Sequence, residues 1–280
     1  MAEKIRLKGH EKFVLREGWL TKGLLAVQNN NKVFAGEKGA DALGVGTNMV
    51  KAIRYYLQAF SLVNESTQKG TVLNDVGNAI VEEDPYIEDS FTLCLLHSLI
   101  ANNEEKATTW YLFFNQKEIS EFTKEDIVAY IHREIFAKYG KEVPVGSVKD
   151  DIDVLLNMYG KIDPFADPED KLHSPLASLK LIKKDGDIYS KQQPNMKIIS
   201  KDFMLYIISS LLQNEESISI DSVSTYMESV FCIPWVQTNE LLDVLDREEQ
   251  IRVDRTAGLD MIYPLNVPSP IEIINNYYRK

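Results

Sequence analysis

The sequence predicts a mainly α-helical chain: an N-terminal winged helix-turn-helix over 1–85, a helical middle region over 86–199 and a C-terminal winged-helix-like module over 200–280. Three observations carry this expectation. Small and apolar residues over 40–53 have helix-turn-helix spacing, the stretch from 91 to 159 repeats apolar residues at helical intervals, and an order of helices followed by a hairpin recurs after 200. The 280 residues amount to about two domains at ~150 each, and 44% apolar with 26% charged residues is the balance of a chain that folds.

In a helix-turn-helix the first helix carries a small residue near its end. A glycine follows at the turn, and apolar residues beyond it lock the second helix in place. Ala40, Gly44, Val50 and Ile53 meet all these requirements. The alanine lets two helices approach, and the glycine takes a turn conformation that a side chain resists. Thr47 is placed to cap the second helix, which runs to Leu57 or Phe60 with Val50, Ile53, Leu57 and Phe60 as its core stripe. Thr47, Lys51, Arg54 and Gln58 form a different face, polar and basic, with Asn48 beside it. A recognition helix offers such a face to a major groove, because Lys and Arg reach phosphates or guanine edges while Thr and Gln add hydrogen bonds. Read alone, the face better suits a solvated helix; the four-position turn spacing is what favours DNA.

Leu62-Val63, a polar turn over 64–70, and Thr71-Val72-Leu73 have the layout of a wing, and a short helix over 75–83 closes the module. In the middle region, 91–101 is apolar nearly all round and reads as a buried helix, followed by an aromatic-rich one over 108–114. A third starts at Ser120 or Thr123 and runs to about Lys138. A fourth over 150–159 begins on Asp150, Asp151 and Asp153, an acidic first turn that suits the helix dipole. The polar stretches 163–170 and 183–197 read as a loop and a linker.

Beyond 200, helices are expected over 203–212, 221–230 and 236–247, the last capped by Thr238, with a hairpin over 251–264. The third of these helices exposes Glu240, Asp243, Asp246, Glu248 and Glu249, which repel phosphate, so the module is read as one for protein contact. Charge is divided in the same sense. Residues 1–70 hold eleven Lys/Arg against six Asp/Glu, whereas the whole chain carries −11. A polyanion would therefore meet the basic head.

Other chemistry is hard to place. Cys94 and Cys232, and the four histidines His10, His97, His132 and His173, show no metal-ligand spacing. Gly44-Val45-Gly46 lacks the third glycine and preceding strand of a phosphate loop. Asp153 with Glu169 and Lys171 superficially matches a nuclease carboxylate set, but such sets need adjacent strands, and this stretch reads as helix and loop. The N-terminus lacks an apolar leader, and the longest apolar run is Phe203 to Ile208, far short of the ~18 residues a membrane span needs. A cytoplasmic protein with no membrane contact is expected.

Several runs carry a family resemblance. They are Gly9-His10-Glu11-Lys12-Phe13, Arg16-x-x-Trp19-x-x-Lys22, the run from Leu43 to Arg54, Asp84-Pro85-Tyr86, Asp151-Ile152-Asp153 with Tyr159, and Thr256-Ala257-Gly258. Together they resemble the SspB-like family, a bacterial family long labelled only as a domain of unknown function. Its genes often sit beside a phosphosulfate-reductase-like enzyme and an ATPase in DNA phosphorothioation clusters. The resemblance implies a DNA-nicking or DNA-presenting subunit in phage defence. It further implies a sulfur-transfer enzyme and an ATPase as partners, a divalent metal, Mg or Mn, if the protein is a nuclease, and no catalytic position that can be carried over. Arg16 and Lys22 divide evenly between phosphate contact and structure, with Trp19 as an anchor in the core. A winged-helix transcription regulator and a non-catalytic scaffold are the competing classes, and a homodimer is compatible with each.

Overall fold

The computed structural model describes residues 5–36, 38–116, 119–160, 173–213 and 215–280. It is mainly helical, with three small antiparallel sheets, and divides into two compact units, 1–192 and 193–280. No helix among the described residues is long and apolar enough to cross a membrane.

The first unit opens with an irregular segment that leads into α1 (Trp19–Asn29), α2 (Lys38–Leu43) and α3 (Thr47–Ala59). Gly44 takes a φ of +63° between α2 and α3, the left-handed turn expected of it. Val50, Ile53, Leu57 and Phe60 are all buried, as the stripe requires. Gly23 of α1 lies so close to Ile53 that an added Cβ would meet its Cγ2 at 2.8 Å, which is how α1 packs tightly on α3. The antiparallel hairpin β1 (Val63–Ser66) and β2 (Gly70–Leu73) follows, then α4 (Asp75–Glu83), capped by Asn74, whose side chain accepts from the Gly77 amide.

The middle helices are α5 (Ser90–Asn102), α6 (Thr108–Phe114), α7 (Lys124–Tyr139) and α8 (Val145–Gly160). α5 is buried on nearly every side, as its unbroken apolar sequence demands. α7 starts with a capping box, in which Thr123 and Asp126 satisfy each other's backbone amides. The expected start of α8 is corrected. The helix begins at Val145, so Asp150 and Asp151 fall in its second turn and Asp153 in its third, and Asp151 is buried at 1% exposure, beyond the reach of a dipole argument. Part of the expected linker is corrected too: β4 (Ile182–Asp185) and β5 (Ile188–Lys191) form a hairpin that β3 (Glu121–Thr123) joins in the order β3-β5-β4. Phe122 stacks on Tyr189 across this sheet, with ring centres 5.9 Å apart. The loop expected over 163–170 lies outside the described residues.

Asp151 ties the N-terminal segment to these helices. Its Oδ1 accepts from the Lys8 amide at 2.8 Å and sits 2.9 Å from His10 Nε2, while its Oδ2 accepts from the Thr109 hydroxyl at 2.8 Å. The Lys12 amide donates to His10 Nδ1 at 3.0 Å, which leaves Nε2 as the nitrogen that donates to Asp151. His10 is fully buried, with its ring edge-on to Tyr55 and Trp110. Gly9 permits this approach, since a Cβ there would lie 2.2 Å from the Tyr55 ring.

The second unit contains α9 (Lys201–Leu212), β6 (Ile218–Ser219), α10 (Ile220–Phe231), α11 (Trp235–Arg247), β7 (Ile251–Asp254), β8 (Met261–Pro264) and α12 (Pro270–Tyr278), with strand order β6-β8-β7. Thr238 does not cap α11: Pro234 occupies the cap, and Thr238 is buried one turn further in. α12, capped by Ser269 and Glu272, had no counterpart in the sequence expectation.

Asp151→Ala removes the acceptor of three donors, two of them buried, and should cost about 3–5 kcal/mol. Asp151→Asn, which keeps one acceptor oxygen, should cost less. Urea denaturation of both variants measures the difference, and an unchanged midpoint for Asp151→Ala would show that the network carries no stability.

Candidate nucleic-acid interface

The basic face expected on α3 exists, but its members differ in state. Thr47, Asn48 and Lys51 are exposed, whereas Arg54 and Gln58 are engaged by neighbours. Thr47 is the first residue of the helix and not its cap; Gly46 holds the cap position, with extended backbone and no side-chain bond. Lys51 Nζ reaches Asn48 Oδ1 at 3.3 Å across one helical turn. Arg54 donates twice to Glu65 on β1, from Nε at 2.8 Å and from Nη2 at 2.7 Å. The Thr71 hydroxyl on β2 donates to the same carboxylate at 3.0 Å, so the hairpin is braced to the helix through one acid.

Two opposed effects act on this pair. Burial tends to raise the Glu65 pKa, but the bonds from Arg54, Gln58 and Thr71 outweigh it and hold the carboxyl below its ordinary value. The bond to Glu65 in turn raises Arg54. The guanidinium that the sequence offers as a phosphate contact is thus already matched by a counter-ion.

Gln58 accepts a hydrogen bond from Arg6 Nη1, which brings the N-terminal segment to the same face. Arg6 also lies over the Tyr55 ring, 5.0 Å from its centre, and its amide donates to the Thr108 hydroxyl at 3.0 Å. Together Arg6, Lys51, Arg54 and Lys106 line a cleft of about 440 Å³ that also contains Glu11, Gln58 and Glu65. Sequence reasoning missed Arg6, Glu65 and Lys106. No local signal could have found Arg6 or Lys106, since each arrives through contacts between distant parts of the chain. Glu65 had one: a lone acid in a wing strand beside a basic helix.

The other two candidates are not brought to this cleft. Arg16 is half-buried over Trp19, 5.5 Å from the ring, and lines a separate cleft of about 400 Å³ with Tyr86, Leu93 and His173. Lys22 is exposed in the first turn of α1 and lines neither cleft. Trp19 is buried, the anchor expected.

A divalent metal does not fit what the described residues offer, for no group of three or more His, Cys, Asp or Glu side chains converges among them. Asp153 pairs with Lys124, and Glu169 and Lys171 lie outside the described residues. On α11, Asp243 pairs with Arg255 at 2.8 Å, Asp246 accepts from the Val253 amide and Glu240 is exposed; Glu248, which pairs with Lys201 at 2.6 Å, and the exposed Glu249 lie just past the end of the helix.

Residues 7–278 match the family described as "Protein of unknown function (DUF4007)". No curated protein matches the sequence. Two solved structures share the fold: the crystal structure of SspB and that of magnesium ion-bound SspB. Each is 22% identical in sequence with a TM-score of 0.87, covering 99% of this chain and 90% of the other.

Glu65→Gln removes the charge that braces the hairpin. Because the folded pKa of Glu65 lies below its unfolded value, the contribution of the pair is present above the ordinary glutamate pKa of ~4.3 and is lost as pH falls through the lowered value. Thermal melts should therefore show the variant less stable than the parent at pH 7, by no more than about 1 kcal/mol for so exposed a pair, and equal to it at strongly acid pH. A difference that persists undiminished in acid would mean that the carboxylate charge is not its source.

Proposed function

The chain belongs to the DUF4007 family, and from that premise we propose that it is the DNA-binding component of a DNA phosphorothioation system. In this reading α3 enters the major groove, with the β1–β2 hairpin as the wing of a winged helix. The carrying observation is the division of α3 into a buried stripe and an open end. Val50, Ile53 and Leu57 fix the helix in the core, while Thr47, Asn48 and Lys51 stand exposed beyond the turn. The N-terminal residues of a recognition helix are the ones that reach base edges. Arg54 and Gln58, further along, are positioned by Glu65 and Arg6 and lie where the helix would pass the backbone.

The Arg54–Glu65 pair has a consequence for binding. A phosphate that approaches Arg54 must compete with a bidentate carboxylate, so Lys51 is the principal cation of the face and Arg54 contributes only as far as Glu65 gives way. The second unit has a different role in this reading. Trp235 and Val236, exposed at 58% and 61% at the start of α11, stand with Glu240 and Asp243 on a surface suited to protein partners and unsuited to phosphate. The sulfur-transfer enzyme and ATPase of such a system are the partners proposed, in the cytoplasm where the DNA is. SspB has been crystallised with magnesium ion, but the described residues here supply no metal site, so nicking is a question for assay and no step is assigned to a metal.

Binding to a duplex of mixed sequence tests the reading. If three to five phosphates are neutralised, log K should fall against log[salt] with a slope of about −3 to −4.5. Lys51→Glu should weaken binding by on the order of 1–3 kcal/mol with native circular dichroism and melting, because Lys51 is exposed and lies off the buried stripe of α3. Glu65→Gln should tighten binding, since it releases Arg54. Wild-type affinity in Lys51→Glu would show that α3 is not the DNA surface. Relaxation of supercoiled plasmid, with and without Mg²⁺ or Mn²⁺, separates a nicking enzyme from a binder; binding to one operator without relaxation would favour a transcription regulator instead.

A further inference from the structure

The cleft beside α3 contains a positive charge that the protein itself does not balance. Arg54 is matched by Glu65, but Arg6 is half-buried; among the described residues its guanidinium donates only to the amide oxygen of Gln58, and no carboxylate pairs with it. Taking a guanidinium out of water without a counter-ion is unfavourable, and an anion in the cleft would complete it. Lys51 shares the cleft with a neutral asparagine as its partner. Lys106, from the turn between α5 and α6, pairs among the described residues only with the exposed Glu105, at 3.9 Å. Four cations thus face two carboxylates, Glu11 and Glu65, in a space of about 440 Å³, which at ~30 Å³ per water holds a phosphate with its remaining hydration.

We propose that this cleft seats one backbone phosphate of bound DNA, with Arg6 and Lys106 as its anchors. The proposal rests on the DNA-binding reading and adds to it a contact outside the helix-turn-helix. Arg6 is suited to the part by geometry. Tyr55 supports the face of its guanidinium and Gln58 holds one edge, which leaves the rest of a planar fork to meet two phosphate oxygens. Lys106, which lines the same cleft, then adds a point charge. Such a contact fixes the register of α3 on the duplex and carries no sequence information.

The test is the salt dependence of duplex binding by the full chain, compared with Arg6→Gln, Lys106→Gln and Arg6→Lys. Each of the first two should flatten the slope of log K against log[salt] by about 0.9 and weaken binding to all sequences equally, while Arg6→Lys should restore most of the slope. Circular dichroism and melting confirm that the variants are folded, and Lys106→Gln, at an exposed turn, provides the measurement if Arg6→Gln is not. Slopes unchanged in both variants, with wild type binding normally, overturn the seat and leave the DNA reading intact. Failure of the wild type to bind DNA at low salt overturns both. Replacing chloride by inorganic phosphate at constant ionic strength distinguishes the source: protection of wild type but not Arg6→Gln against heat, with equal DNA slopes, would assign the cleft to free phosphate and overturn the backbone contact.

Discussion

The N-terminal half of this protein depends on one buried carboxylate. Asp151 sits in the middle of α8 with almost no exposure, and a carboxylate there is tolerable only because backbone and side-chain donors surround it. The three donors come from the Lys8 amide, His10 and Thr109 on α6. One acid therefore fastens the irregular N-terminal segment to two helices of the middle region at once. The neighbouring Asp150 adds ion pairs to Lys8 and Lys12 on the outside of the same turn. What the arrangement delivers is position: with Gly9 pressed on Tyr55 and His10 locked, Arg6 is set beside Gln58 of α3. The cleft at the helix face is a by-product of that docking.

The fold was legible in the sequence wherever a local rule decides structure. The turn at Gly44, the stripe of α3, the β1–β2 hairpin and the all-apolar α5 each follow from spacing or periodicity over fewer than about fifteen residues, the range over which propensity acts. The failures have physical causes. The β4–β5 hairpin was read as a linker because Lys183, Lys184 and Asp185 are exposed on an edge strand, so no apolar alternation is visible. Thr47 and Thr238 have the chemistry of caps, but cap preference says nothing about whether a glycine one residue earlier, or a proline four residues earlier, supplies the extended backbone first. Asp151 looked like a dipole partner because burial among residues more than a hundred positions away is invisible to local reading. The candidate site divides on the same line. Lys51, Arg54 and Gln58 were found from helical spacing, while Arg6 and Lys106 come from long-range packing, and Arg16 was drawn off to a different cleft by its stacking on Trp19.

Charge on this face is partly cancelled by the hairpin beside it. Glu65 takes up Arg54 and is held in turn by Thr71, so three elements share one acid. A brace of this kind trades electrostatic attraction for rigidity. It holds the hairpin against α3 and leaves fewer uncompensated cations on that face.

The length of chain between His10 and Asp151 also bears on how the molecule is made. The donors leave the ribosome first, and their acceptor follows about 140 residues later. Until then His10, and the left-handed Lys8, Glu11 and Lys12 around it, lack the carboxylate that holds them in the folded chain. The segment that begins the chain is therefore among the last of its unit to settle. At an elongation rate of roughly 5–20 residues per second, α3 and the hairpin exist for several seconds with the wall carrying Arg6 not yet in place. The sequence of α3 is thus complete before the acid that fixes the wall of its cleft, and the full cleft forms only once α8 has been synthesised.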